Sequence, residues 1–549
     1  VAQEEMELFR SADDRRGQAL MHLSIAELNI ENRERDQSYD ALDSAEDALN
    51  LFRELGDEKK EAAALFAMSR VYIKRNNFHF ARRLGTEAVE AYKKVGDGKG
   101  EVEAWENLAR TAAQEFCYDE ALRCARKGLK LAQELGITRL EAGLLFSIAE
   151  WSLLKGYAQN ALQPARMALT SFQKLDDGRG HEAAAVSLIA EAHMQMNEKE
   201  TALQVVRDAL NAMREKDDLR EVARCLLYLG VVHERSGQHE EAMVALTEAV
   251  LTCQQMGFKR LESRLQETLA YVYASLKQPD EAKKCAKAAV GLLRELNLLE
   301  HECKGRLFIE ARICVAVEDY AGAAQAADEG LKLARDIGDP KLEGQAMLAV
   351  CTCCLTIMDV PKAIKFGEQA ADMFREVGGN YRIDEAKTHQ ALCQCHLQEG
   401  DIDAALRASQ KSEQLLAGFG DRRRLAQMKQ NTASVFIAAG ELEEAVRVAT
   451  EALKICRAED DMRGTLQSIF LIVDIQFNVL MNEMDTKSRR VQMQGIEKAT
   501  RLAKEAIGLA IKLGDLAAES SGLCWTASLE VLHGKLSEAK QHADSALKQ

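Results

Sequence analysis

The chain has 549 residues and a formal net charge of −15, from 72 Lys and Arg against 87 Asp and Glu. That acidic balance argues against binding nucleic acid by phosphate neutralisation and suits solubility. Four prolines, no Gly/Ser-rich stretch and no strand-like alternation leave neither a linker nor a sheet, and no apolar run reaches the roughly eighteen uncharged residues of a membrane span.

From the N-terminus, EEMELFRSADD (Glu4 to Asp14) reads like EDALNLFRELGD (Glu46 to Asp57). Residues 1–16 are therefore expected to be the second helix of a preceding, incomplete repeat. The first residue is Val1 rather than Met, and neither end carries a polar cap. The chain is thus expected to be a segment of a longer polypeptide, or to be capped by a partner, with a removed targeting segment left open.

Beyond residue 16 a column of alanines recurs: Ala41, Ala81, Ala121, Ala161, Ala202, Ala242, Ala282, Ala323, Ala363, Ala405, Ala445, Ala499 and Ala539. Most steps are 40 residues; 161 to 202 and 282 to 323 are 41, 363 to 405 is 42 and 445 to 499 is 54. A fixed period near forty marks a repeat array. Seven residues after each alanine stands a second small residue, such as Ala88, Gly128, Ala249, Gly330 or Ser412, and twelve before stands a third, such as Ser69, Ala109, Gly230, Cys351 or Cys393. Small residues seven apart share one helix face and let another backbone come close.

DEALRCARKGLKLAQEL, from Asp119, has apolar residues at Ala121, Leu122, Ala125, Leu129 and Ala132, the spacing of an amphipathic helix. The preceding EVEAWENLARTAAQEF, from Glu101, carries its small residue at Ala109. Each repeat is predicted to be an antiparallel helix pair, and the fold an all-α solenoid of about 13 pairs. Residues 17–461 hold eleven repeats, with boundaries near 57, 97, 137, 177, 218, 258, 298, 339, 379, 421 and 461. Residues 462–515 form a repeat with about 14 extra residues, and 516–549 a last, truncated one. The surplus lies around NEMDTKSRRVQMQGIE, where Lys487, Arg489 and Arg490 form a basic patch in an acidic chain. The most apolar run, Ser468 to Met481, is too short to span a membrane and carries Asp474.

The pattern small–twelve–small–seven–small resembles the tetratricopeptide repeat family. At about forty residues the unit looks like the longer variety in kinesin light chains and in LGN and Pins adaptors, and GDGKGEVEAWENLAR (Gly96 to Arg110) is the nearest local match. The resemblance implies a right-handed superhelix whose first helices line a concave face. The family's proline ending the second helix is missing, and a Gly-Asp turn replaces it at Gly56, Gly96, Gly338, Gly420 and Gly514.

Candidate chemistry is sparse. Cys351, Cys353 and Cys354 are followed one repeat later by Cys393, Cys395 and His396, which are zinc-ligand types. However, Cys351 and Cys393 stand in the small column, so core packing is the expected role. GDGKGE, from Gly96, lacks the Lys-Ser/Thr of a phosphate loop. The eleven histidines are scattered, and no catalytic, metal or cofactor residues are expected. Fourteen cysteines within helix patterns suggest a reducing intracellular compartment such as the cytoplasm.

On the face that the resemblance makes concave, counting eleven and eighteen back from the alanines gives Arg224, Arg264, Tyr271 and Arg312, with Lys304 and Arg306 straddling the next equivalent place. These cations are the candidate partner-binding residues, together with Lys487, Arg489 and Arg490. The lysines of the family's chaperone clamp are missing, and so is the asparagine ladder of LGN, apart from Asn107 and Asn431. Three functions fit: a non-enzymatic scaffold binding an acidic extended segment or partner subunit, an architectural spacer in a cytoskeletal or ciliary assembly, and a regulatory sensor of a small anionic ligand.

Overall fold

A computed structural model describes residues 2–31, 37–75, 77–175, 181–378, 381–417, 422–482 and 489–547. Each repeat is set up by its turn. At Gly96 the backbone is left-handed (φ 71°), and the Asp97 N–H reaches back to the Tyr92 carbonyl at 3.0 Å, closing the helix Phe78–Val95. Asp97 then caps the next helix, Gly98–Gln114, by accepting from the Gly100 N–H at 3.2 Å. This is a glycine C-cap followed at once by an aspartate N-cap. The same pairing recurs at Gly338-Asp339 and Gly514-Asp515.

The described residues form 27 helices when 299–316 is counted as one, and none is in a strand. After Ala2–Ser11 they follow as thirteen successive pairs, from Arg15–Glu31 with Gln37–Leu55 to Leu516–His533 with Leu536–Ala546. The fold is an all-α repeat solenoid. Its helices gather into two compact units, residues 1–193 with 201–225 and residues 194–200 with 226–549.

The small columns are where helices cross. All thirteen alanines of the first column are buried. In the second column, a methyl group added at Gly330 would stand 2.7 Å from the Leu307 side chain. In the third, one added at Gly230 would stand 2.5 Å from Leu246. In the long repeat the third column is blurred in sequence. Eleven residues into the helix Met462–Asn482, the place that Ala433 and Ala527 hold in their own helices, stands fully buried Val473.

A second repeated device is a glutamate near the start of the first helix. It is tied to a donor eight residues earlier, at the end of the preceding second helix. Arg53–Glu61 (2.8 Å), Gln133–Glu141 (3.1 Å), Gln254–Glu262 (2.9 Å), Arg294–Glu302 (2.9 Å) and Arg335–Glu343 (3.0 Å) all bridge the inter-repeat turn. Glu262 and Glu302 are buried, so their partners offset a real desolvation cost.

The surplus of the long repeat is helical. Met462–Asn482 has 21 residues against the usual 17, and Arg489–Leu513 has 25. The apolar stretch is longer than the fourteen residues read from sequence: Met462–Met481 is long and apolar enough to cross a membrane by length and composition. In the fold its Ile469, Ile472, Val473 and Ile475 are buried in a core shared with Val448, Leu453, Ala499 and Ala503 of the flanking second helices.

Most first helices are 17 residues long, but 299–316 spans 18. The extra residue is taken up by a π-helical turn, Arg306–Glu310, in which the Ala311 N–H donates to the Arg306 carbonyl. Before the turn, residues repeat at 40: Ser263 Oγ donates to the Ala289 carbonyl, and Cys303 Sγ does the same to Gly330. Beyond it they repeat at 41, as from Ala270 to Ala311. The step of 41 between Ala282 and Ala323 is this bulge.

Candidate functional site

In the second unit, Arg264, Glu267 and Tyr271 stand at i, i+3 and i+7 of the helix Lys259–Ser275, on one face. The Tyr271 hydroxyl donates to the Phe308 carbonyl, inside the π turn of the next first helix, at 3.3 Å. Arg312 comes one turn later, 41 residues after Tyr271. Both Arg264 and Arg312 are exposed, and among the described residues neither guanidinium has a carboxylate oxygen within 4.0 Å. Both act on Glu267: burial raises its carboxyl above the ordinary range, and the two arginines pull it back. Tyr271 is half-buried, and burial raises its phenol.

The remaining sequence candidates divide. Lys304 takes the place of Arg264, forty residues on, but is hydrogen-bonded to Glu300. Arg306 is turned inward. Its guanidinium meets Glu329, Glu302 at 3.3 Å and Glu310 at 3.6 Å, and its side chain is 12% exposed. Arg306 therefore leaves the set of surface cations, because the π turn rotates it toward the second helix. Arg224 belongs to the first unit and pairs with buried Glu221 at 2.9 Å. Lys487 lies outside the described residues; Arg489 and Arg490 open the helix Arg489–Leu513, and their side chains are not described.

Sequence reasoning did not single out Glu267, Phe308 or the π turn as parts of this face. Between 299–316 and Pro340–Thr356 lies a recess of about 390 Å³, walled by Phe308, Ala311, Val315, Ala349 and Thr352, with Arg312 among its lining residues. A π turn is a frequent companion of functional sites.

The other candidates resolve into packing. Cys351, Cys353, Cys354, Cys393 and Cys395 are buried thiols. The neighbouring Cys395 and burial push the Cys351 thiol up, and burial pushes Cys354 and Cys393 up to about 11. Among the described residues no three metal-ligand side chains gather around a common point. Replacing Cys351 and Cys393 by alanine is expected to be tolerated, since alanine fills that column in other repeats. Metal analysis of the purified wild-type chain should find no stoichiometric zinc; one equivalent would overturn this. The helix after Gly96-Asp97 already has its N-terminus occupied by the Asp97 carboxylate, so GDGKGE is a capped turn. Asn107 is buried and donates to Ser69 Oγ at 2.9 Å, a core bond rather than a groove contact.

Compared with known proteins, residues 263–292 match the family model described as tetratricopeptide repeat. That stretch carries Arg264, Glu267 and Tyr271 together with Ala270, Ala282 and Ala289, one from each small column. Residues 263–292 thus carry a tetratricopeptide-type repeat within the all-α repeat solenoid. Compared by sequence, no curated protein matches it. Among solved structures, a Rap protein complexed with competence and sporulation factor aligns over 68% of this chain and 99% of its own, at 15% identity and TM-score 0.35. A STAND protein from Pyrococcus horikoshii, titled as having a tetratricopeptide repeat sensor, aligns at 16% identity and TM-score 0.38. That match takes in 63% of this chain and 53% of the other, about half its length. Yeast Tom70 aligns over 90% of this chain and 96% of its own, at 13% identity and TM-score 0.37.

Proposed function

We propose that this protein is a non-enzymatic scaffold that holds an acidic extended segment of a partner protein against the first helices of its second unit. The observation that carries this reading is a pair of exposed guanidiniums, Arg264 and Arg312, with no carboxylate within 4.0 Å among the described residues, on either side of Tyr271 in a chain of net charge −15. Guanidinium forks bind carboxylates in two-point fashion. Two of them with matched sign steer an acidic segment inward, and an aromatic ring between them is a residue type favoured as an anchor. Glu267 gives the pair a weak internal counter-charge that an incoming carboxylate displaces. The fourteen free thiols, all but two buried, support a reducing compartment for this activity.

The test is a double charge reversal, Arg264→Glu with Arg312→Glu. The partner recovered with the wild-type chain should be lost, with helicity and melting temperature nearly unchanged, since both side chains are at the surface. Wild-type capture should weaken as salt rises. A charge-reversed chain that retains the same partner at the same salt would rule this face out.

A further inference from the structure

The recess beside the π turn has a chemistry of its own. It is formed within the second unit by the first helices of two successive repeats. Its volume, about 390 Å³, falls in the range of small-molecule pockets. The hydroxyls in its wall are already engaged. Thr352 Oγ1 donates to the Ala349 carbonyl at 2.9 Å, and Thr356 Oγ1 donates to the Thr352 carbonyl at 2.9 Å. Cys353 is buried, and its thiol is pushed up by that burial, so it carries no charge near neutral pH. Hydrocarbon from Phe308, Val315 and Ala349 supplies much of the rest. The lining therefore has a single charged group, the Arg312 guanidinium.

One cation in a recess whose other lining groups are uncharged matches one kind of ligand, an amphiphile with a single carboxylate. From this geometry we propose that the recess is a binding site for a small monocarboxylic acid with an aliphatic or aromatic body. The carboxylate pairs with Arg312, and the body lies against Phe308, Val315 and Ala349. Phe308, inside the π turn, and Arg312, four residues on, share one face of their helix and so line the same recess. The proposal does not rest on the docking of a partner protein; the two share only Arg312.

The probe is octanoate, with octan-1-ol and octylammonium as uncharged and cationic controls, titrated calorimetrically into the full chain below the micellar range. Octanoate should bind one to one. It should bind more tightly than octanol by on the order of tenfold to a hundredfold, the value of a hydrogen bond to a charged group. Arg312→Leu should abolish that preference, so that acid and alcohol bind alike. Ala349→Leu, which fills the recess, should weaken both. Failure of octanoate to bind, or affinity unchanged in both variants, overturns the site. Partner capture by Ala349→Leu separates the two readings. Capture kept while octanoate is lost shows a small-molecule site distinct from the docking face. If octanoate does not bind but the double charge reversal still abolishes capture, the recess proposal falls and the docking face stands.

Discussion

Arg306→Ala is expected to destabilise the second unit by about 3–5 kcal/mol, the range for stranding buried charges by removing their partner. Arg306 is almost fully covered and serves Glu302, Glu310 and Glu329 at once. Without it Glu302 retains Arg294 at 2.9 Å, but Glu310 is left half-buried with a carboxylate neighbour. Burial already raises the Glu310 carboxyl above the ordinary range, and Arg306 is the largest influence holding it down. A raised carboxylate costs stability when ionised. The deficit should therefore be full at neutral pH and shrink as pH falls through the raised pKa of Glu310. Thermal unfolding across that range, with hydrogen exchange over 299–337, measures both parts. A loss below about 1 kcal/mol, the worth of an exposed pair, would mean that the network is ornamental.

Ala242→Leu is the second large change. Ala242 is fully buried in the first small column, on the helix His239–Met256. Three added carbons cannot be housed without moving a helix, and overpacking of this kind costs about 1–3 kcal/mol. A solenoid couples nearest neighbours, so the disturbance should reach the adjoining repeat and fade beyond it. Hydrogen exchange should rise across residues 239–295 and stay at wild-type levels near the C-terminal repeats. Unchanged protection across 239–295 would show that the column is not a packing column.

Much of the fold is legible in the sequence because its determinants are periodic. Thirteen alanines at near-constant spacing mark thirteen helix crossings, and Gly-Asp turns mark their ends. The departures are not legible, because spacing counts residues without saying where a surplus goes. The step from 161 to 202 is 41 like the step from 282 to 323, yet only the latter can be assigned to a π turn from the described residues. That ambiguity is why spacing alone places Arg306 among the surface cations. One extra residue in a helix rotates the preceding residues by about 100° relative to the later ones, enough to swing Arg306 onto Glu329 and leave Lys304 in the place of Arg264. Arg264, Tyr271 and Arg312 are readable because they lie outside the π turn. Glu267 and Phe308 matter through contacts between repeats, which no single-repeat column displays.

The π turn also bears on how such an array can change over generations. An inserted codon in a helix would ordinarily rephase everything downstream against its neighbours. Here the extra residue is absorbed within one turn, and Ala311, Ala323 and Gly330 regain their crossings immediately. A single rung can thus gain a residue, and with it a new shape on its exposed face, while the other rungs keep their old sequence. The architecture permits novelty to be introduced locally, one repeat at a time, without retuning the whole.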